Sequence, residues 1–523
     1  MPGPPPLNGP FTMPMFNGFV PRKIQPWIYL VFAFMFQMSG GMYAGALPQV
    51  MGDTCLMRED VLMIILCGVV GVNMPFPFLF RFKFRFTNRQ LLITAASVIA
   101  ACNFLCTLTQ SLPVLCVLSY LCGFFKLCGT FECMSNIQLW MTPKRDFTIF
   151  FPLLYCFVLG NMSLSPWVVT KLTYWLQSWH AMHYLMCGVM LVIVLLVMLL
   201  THDFRFMKPL PLVSLDWLGC LLWSALMIEI IFLFNYGEFY NWRDGQTWRT
   251  VLFMVPVTFY FAVQRMLHIR HPFIAKEAWK FKKLVPLLLL FVLMELISAT
   301  PKVLQNAFVG RVLHFGATTT AVLNLMEWGG TICGCLFVLL WCHILKKKFT
   351  TLLTIGCATL VGYEVLMYFL IFPGLNLEML YLPSFVRTFG IAIFFTAITI
   401  YLEEMMGFKY FFMGLTMVGL IRNGVAETIF SGIYSRYLRY SICDNLVRGI
   451  PYDAAQAIMI SVKHLFGTTC LAGVVVLFVF LLWNVQPVRS TLLKIPYWNF
   501  VGKKVKEEMK AAREDRADVT IIE

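Results

Sequence analysis

Ten ionisable side chains fall inside long apolar stretches of this chain: Lys126, Glu132, Glu229, Glu295, Glu327, Glu364, Arg387, Arg422, Glu427 and Lys463. A charge placed in hydrocarbon costs about 2.5–3.5 kcal/mol on insertion scales, so such residues face a protein interior or a wet cavity. Burial disfavours an ionised carboxyl, which makes Glu132, Glu295, Glu327 and Glu427 candidates for taking up and releasing protons near neutral pH. Lys126, Arg387 and Arg422 are candidate cavity ligands or charge partners. Glu229, Glu364 and Lys463 read as members of interhelical pairs or as side chains reaching an interface. Spacing separates the near neighbours: Arg422 and Glu427 are five apart, about 140° around a helix, so each needs a partner from another helix.

Enzyme chemistry finds no foothold. There is no G-x-S-x-G, no H-E-x-x-H, no paired C-x-x-C and no phosphate-cradling glycine loop with its lysine, so no catalytic residue, cofactor or metal is assigned. His180 and His183 share a helical face but lack a third ligand. Most of the 17 cysteines lie in apolar runs as small hydrophobes. Cys55 and Cys443 read as outward-facing, and a bridge between them is the one disulfide expectation.

At 59% hydrophobic, 13% charged and mean hydropathy +0.75, the chain belongs in a bilayer. About fourteen apolar runs are long enough to span it. Of the 41 Lys and Arg residues, 28 fall on segments of one face and 9 on the other. The bias places both termini in the cytoplasm, and it accounts for the net charge of +15 without nucleic acid. Residues 1–25 read as a flexible cytoplasmic leader, and 488–523 as a charged tail with a solvated helix over 503–516. The F-R-F-K-F-R-F stretch at 80–86 alternates with period 2 but joins two spans, so it reads as a short inner loop with its cations on lipid headgroups.

The stretch from Asp216 to Lys283 reads as two apolar helices joined by a polar aromatic turn, between two blocks of about six spans each. That predicts an all-α polytopic membrane protein: two six-helix bundles, 26–202 and 284–487, with the linker 203–283 carrying a two-helix insert. Gly40, Gly41, Gly45, Gly329 and Gly330 would permit close helix approach near a central cavity.

Several segments resemble the fourteen-spanner drug:proton antiporters of the major facilitator superfamily, the EmrB/QacA type. They are A-L-P at 46–48, Q-S-W-H-A-M-H-Y at 177–184, L-D-W-L-G at 215–219 with Trp242, H-P-F-I at 271–274, V-L-Q-N-A-F-V-G at 303–310, G-A-T-T-T-A-V-L at 316–323 and L-I-R-N-G-V-A-E-T-I at 420–429. The departures fall on the family's coupling residues. Ser39 stands where the first span usually carries an acid, Ser119 where the fourth carries an arginine, and 79–89 keeps only the cations of G-x-x-x-D-R-x-G-R. Lys126 and Glu132 are the nearest substitutes.

The resemblance implies a secondary transporter of the inner membrane that exports lipophilic or amphipathic compounds against proton entry. It also implies a periplasmic adaptor and an outer-membrane channel as partners in two-membrane bacteria. Two other readings stay open: an importer of a small organic anion, with Lys126, Arg387 and Arg422 as its ligands, and a polytopic membrane enzyme, for which no motif speaks.

Overall fold

The computed structural model describes residues 15–142, 146–205, 212, 215–281, 284–345, 349–448 and 453–484. The tail at 488–523 with its expected helix lies outside the described residues, as do the first fourteen residues of the leader. The chain is helical throughout: α1 Gln25–Met38, α2 Met42–Gly45, α3 Leu47–Thr54, α4 Arg58–Asn73, α5 Leu79–Arg85, α6 Asn88–Leu108, α7 Leu112–Met141, α8 Phe147–Leu176, α9 His180–Leu200, α10 Trp217–Asn235, α11 Gln246–His268, α12 Leu284–Arg311, α13 Ala317–Leu339, α14 Phe349–Leu370, α15 Tyr381–Gly419, α16 Glu427–Val447 and α17 Ala454–Asn484.

Among the described residues, twelve helices are long and apolar enough to cross a membrane, against the fourteen expected. The two expected spans not among them are both interrupted. The first breaks at Ser39–Gly41 and again at Ala46, leaving α1, α2 and α3 each too short. The thirteenth begins beyond a kink at Gly407 (φ 65°), passes through a π-helical segment at Leu420–Ala426 and continues as α16, whose Glu427, Arg436, Arg439 and Asp444 lower its hydropathy.

Local sequence sets the helix starts. Thr87 and Gln90 form a reciprocal capping box on α6, Asp146 caps α8, and the Asp60 carboxylate accepts from the Met57 amide at the start of α4. Close packing follows from small residues: a Cβ at Gly41 or Gly45 would run into Ser165, Pro166 and Val169 of α8. The main seam between the halves is α8 against α13. Leu191, Leu195 and Leu199 on α9, Phe253 and Tyr260 on α11, and Leu471, Val475 and Phe478 on α17 point outward, as lipid-facing surface must.

Of the helix pair expected as an insert, α10 packs on α4 and α16, and α11 lies outside α10. The L-D-W-L-G motif has a mechanical reason. Asp216 accepts from the Gly219 amide (2.9 Å), from Arg265 Nε at the end of α11 (2.6 Å) and from the Phe273 amide of H-P-F-I (3.1 Å). One carboxylate therefore ties together both ends of the hairpin and the chain beyond it. At the other end, Tyr236 donates to Asp60 (2.5 Å) and Asn235 to the Glu59 carbonyl (2.7 Å). Burial first, and then the neighbouring Asp60, push the Tyr236 phenol above its ordinary value, so it stays a donor.

Two expected loops are ordered instead. Residues 79–85 form a helix continuing from α4 rather than an inner loop on the lipid surface; Leu79, Phe82 and Lys83 are buried and Phe80 packs edge-on to Phe131 and Phe412. A helix wins over the period-2 pattern because aromatic side chains on several of its faces all find protein partners. The described part of the leader is likewise held in place. Met15, Phe16 and Val20 are buried, the Asn17 amide donates to the Leu200 carbonyl (2.9 Å), and the His202 amide donates to the Met15 carbonyl (2.9 Å). Cys55 and Cys443 are free and exposed, so the expected bridge is absent.

Candidate functional site

A cavity of about 1520 Å³ lies between the two halves. Its exposed lining residues include Arg58, Phe239, Arg311 and Cys443, which gather at the end where α4 begins and α12 ends. At the opposite end the lining is buried or half-buried, and aromatic rings close it: across the seam Phe131 meets Phe412 edge-on and Phe151 meets Phe411 at a tilt.

On the second half's wall, cation and carboxylate meet across helices. Arg387 on α15 bonds Glu327 on α13 at 2.5 Å. Arg422, in the π segment, bonds Glu295 on α12 at 2.8 Å and lies over the Phe395 ring at 4.5 Å; Ser298 donates to the second oxygen of Glu295. Glu327, Arg387, Arg422 and Glu427 line the cavity. A π turn rotates the following residues out of the α register and recurs at working sites, and here it presents Arg422 to both Glu295 and the cavity.

The first half is arranged differently. Glu132 lies outside the lining, paired with Lys83 of α5 at 3.3 Å; Lys83 also donates to Ser135 (2.5 Å) and Asn136 (3.0 Å). Sequence reasoning missed Lys83 because it was assigned to a lipid-facing loop. Lys126 lies on the cavity wall with 8% exposure and has no hydrogen bond or ion pair among the described residues. Its ammonium abuts Gly40, at the break after α1. Ser39, also on the wall, donates to the Phe36 carbonyl at 2.7 Å and helps end α1. Lys126 and Glu132, six apart in sequence, thus serve separate environments.

His183, at the edge of the cavity, is a buried histidine bonded to Asn103 (2.9 Å) and packed on Trp179, with no cluster of metal-ligating side chains around it among the described residues. The remaining candidates lie apart. Glu229 accepts from Thr258 of α11, within the insert. Lys463 lies over the Tyr368 ring, 5.1 Å from its centroid. Glu364 is fully buried, and its carboxylate has no hydrogen-bond partner among the described residues, contrary to the pairing expected of it.

No protein-family model matches the chain, and no curated protein matches it in sequence. Among solved structures, a crystal structure of a mutant form of the nucleoside transporter NupG matches 88% of this chain and 100% of its own with a TM-score of 0.53 and 12% identity. At that identity the likeness is one of fold alone, and the twelve membrane-capable helices make this chain a multi-pass integral membrane protein built on that all-helical fold.

Proposed function

We propose that the chain is a secondary carrier that exports a lipophilic or amphipathic organic compound by alternating access, coupled to proton entry. The observation that carries this reading is the cavity between the halves, which has aromatic walls for an apolar body and cross-helix carboxylate–arginine pairs for coupling. The interrupted first and thirteenth spans complete fourteen crossings in this reading, and the charge bias then orients the wide end of the cavity outward. Glu295, Glu327 and Glu427 are the proposed proton sites: protonating Glu295 or Glu327 releases its arginine, and substrate arrival can drive the same exchange. An adaptor and an outer-membrane channel belong to the same proposal.

The test is reconstitution in vesicles enclosing a pH-sensitive dye, with a proton gradient imposed and amphipathic compounds added singly. Substrate-triggered proton movement is expected, and it should disappear in Glu327→Gln and Glu295→Gln while substrate exchange without a gradient persists. Proton movement equal to wild type in both variants would remove these carboxylates from the coupling scheme.

A further inference from the structure

The first half's cavity wall holds a cation that the fold itself leaves without a counter-charge. Lys126 is more than nine-tenths buried, aims into the cavity and has no partner among the described residues, whereas Arg387 and Arg422 on the facing half each hold a carboxylate. A buried ammonium is costly unless something accepts from it. Around it the helix break at Ser39–Gly41 forms a ledge. Gly40 is the contact for the ammonium, and a side chain there would occupy its space. Gly41 rests against Ser165 of α8, whose hydroxyl donates to the Met38 carbonyl at 2.8 Å and fixes the break in place.

Three further polar groups on the same wall also lack partners: the Tyr43 hydroxyl, on the turn just after the break, His183 Nε2, whose ring lies 5.3 Å from that of Tyr43, and Asn161 Oδ1, one turn of α8 before Ser165. One turn beyond Lys126, by contrast, Thr130 is already engaged by Gln37 at 3.2 Å. The unmet hydrogen-bonding capacity of this wall therefore lies at Lys126, Tyr43, His183 and Asn161, on four different helices.

We infer that this is the head-group subsite of the carried compound, and that it takes the carboxylate of an amphipathic organic acid. The ammonium supplies the charge, the Tyr43 hydroxyl supplies a donor, and the apolar tail lies along Phe131, Phe151, Phe411 and Phe412. A positively charged amphiphile would bring like charge to Lys126. The inference rests on the carrier reading of the cavity and holds for either direction of transport.

Three ligands with one tail and different heads test it: decanoate, decanol and decyltrimethylammonium, titrated against the full chain in lipid nanodiscs with ligand-dependent melting as the readout. Wild type should bind decanoate at least tenfold more tightly than the other two. Lys126→Met should lose that preference while still binding decanol, Lys126→Arg should keep it, and Gly40→Ala should weaken decanoate selectively by displacing the ammonium. Undiminished decanoate preference in Lys126→Met overturns the subsite, and so does wild-type binding of the cation as tightly as decanoate; both leave the carrier reading standing. Failure of wild type to bind any of the three overturns the subsite and the amphiphile-carrier reading together.

Discussion

Glu132 and Lys83 are 1% and 6% exposed, and they join α7 to the helix at the end of α4. Removing one member of such a pair leaves the other charge buried, which costs about 3–5 kcal/mol. In Glu132→Gln the amide oxygen can still accept from Lys83, and Ser135 and Asn136 remain as partners, so the lower end, about 3 kcal/mol, applies. For a cooperative unit the size of residues 26–202, each kcal/mol moves the melting temperature by about 2–4 °C, which gives a fall of about 6–12 °C. Replacing both charges, in Lys83→Met with Glu132→Gln, removes the stranded ammonium and should bring melting back to within about 2–4 °C of wild type. A thiol-reactive dye suits the measurement, because Cys128 and Cys133 flank Glu132 on α7, are buried and free, and react only on unfolding. A single variant that melts with wild type, or a double variant that melts as low as the two single losses added together, would refute the argument. Folded Glu132→Gln protein should also retain proton-coupled flux, since this carboxylate lies off the cavity wall.

Asp216→Asn should cost about 1.5–3 kcal/mol by weakening the charge-assisted bond from Arg265, seen as lower melting and faster hydrogen exchange around 265–275. Unchanged exchange there would mean that the insert is held by its packing alone. In intact cells, Cys55 and Cys443 should react with a membrane-impermeant maleimide while Cys335 stays protected; protection of both would reverse the assigned orientation. Tyr236→Phe should remove the bond to Asp60 and destabilise by about 1.5–3 kcal/mol, read by melting, with exchange protection lost at the start of α4.

Much of the architecture was legible because a bilayer imposes length and polarity on every span. The apolar runs, the paired helices α10 and α11, and the ionisable residues within spans all follow from hydropathy. Partners were not legible, since an arginine at 387 and a glutamate at 327 are sixty residues apart and only the packing of α13 on α15 brings them together. Lys83 was hidden by a different cause: its alternating neighbours imitate a strand, and a charged aromatic segment between two spans is ordinarily interfacial. The breaks in the first and thirteenth spans were invisible to a window average, which registers how greasy a segment is and not whether its backbone stays in register. Asp216 illustrates the reverse case, in which the motif was visible and its purpose waited for Arg265 and Phe273 to be located in space.

The strap formed by Met15–Val20 against the end of α9 has a mechanical consequence. It closes the first half into a loop, fastening the start of that bundle to its finish in the way a hoop binds staves. Thr87 clips the same closure from the α6 side by donating to Asp203 at 2.9 Å. In the proposed alternating-access carrier a half bound in this way would turn as one body, and a spectroscopic label on Gly18, whose missing side chain would meet open space, would ride with it. The distance from such a label to one on the second half would then read out the rocking angle itself, free of the slack that a chain end normally adds.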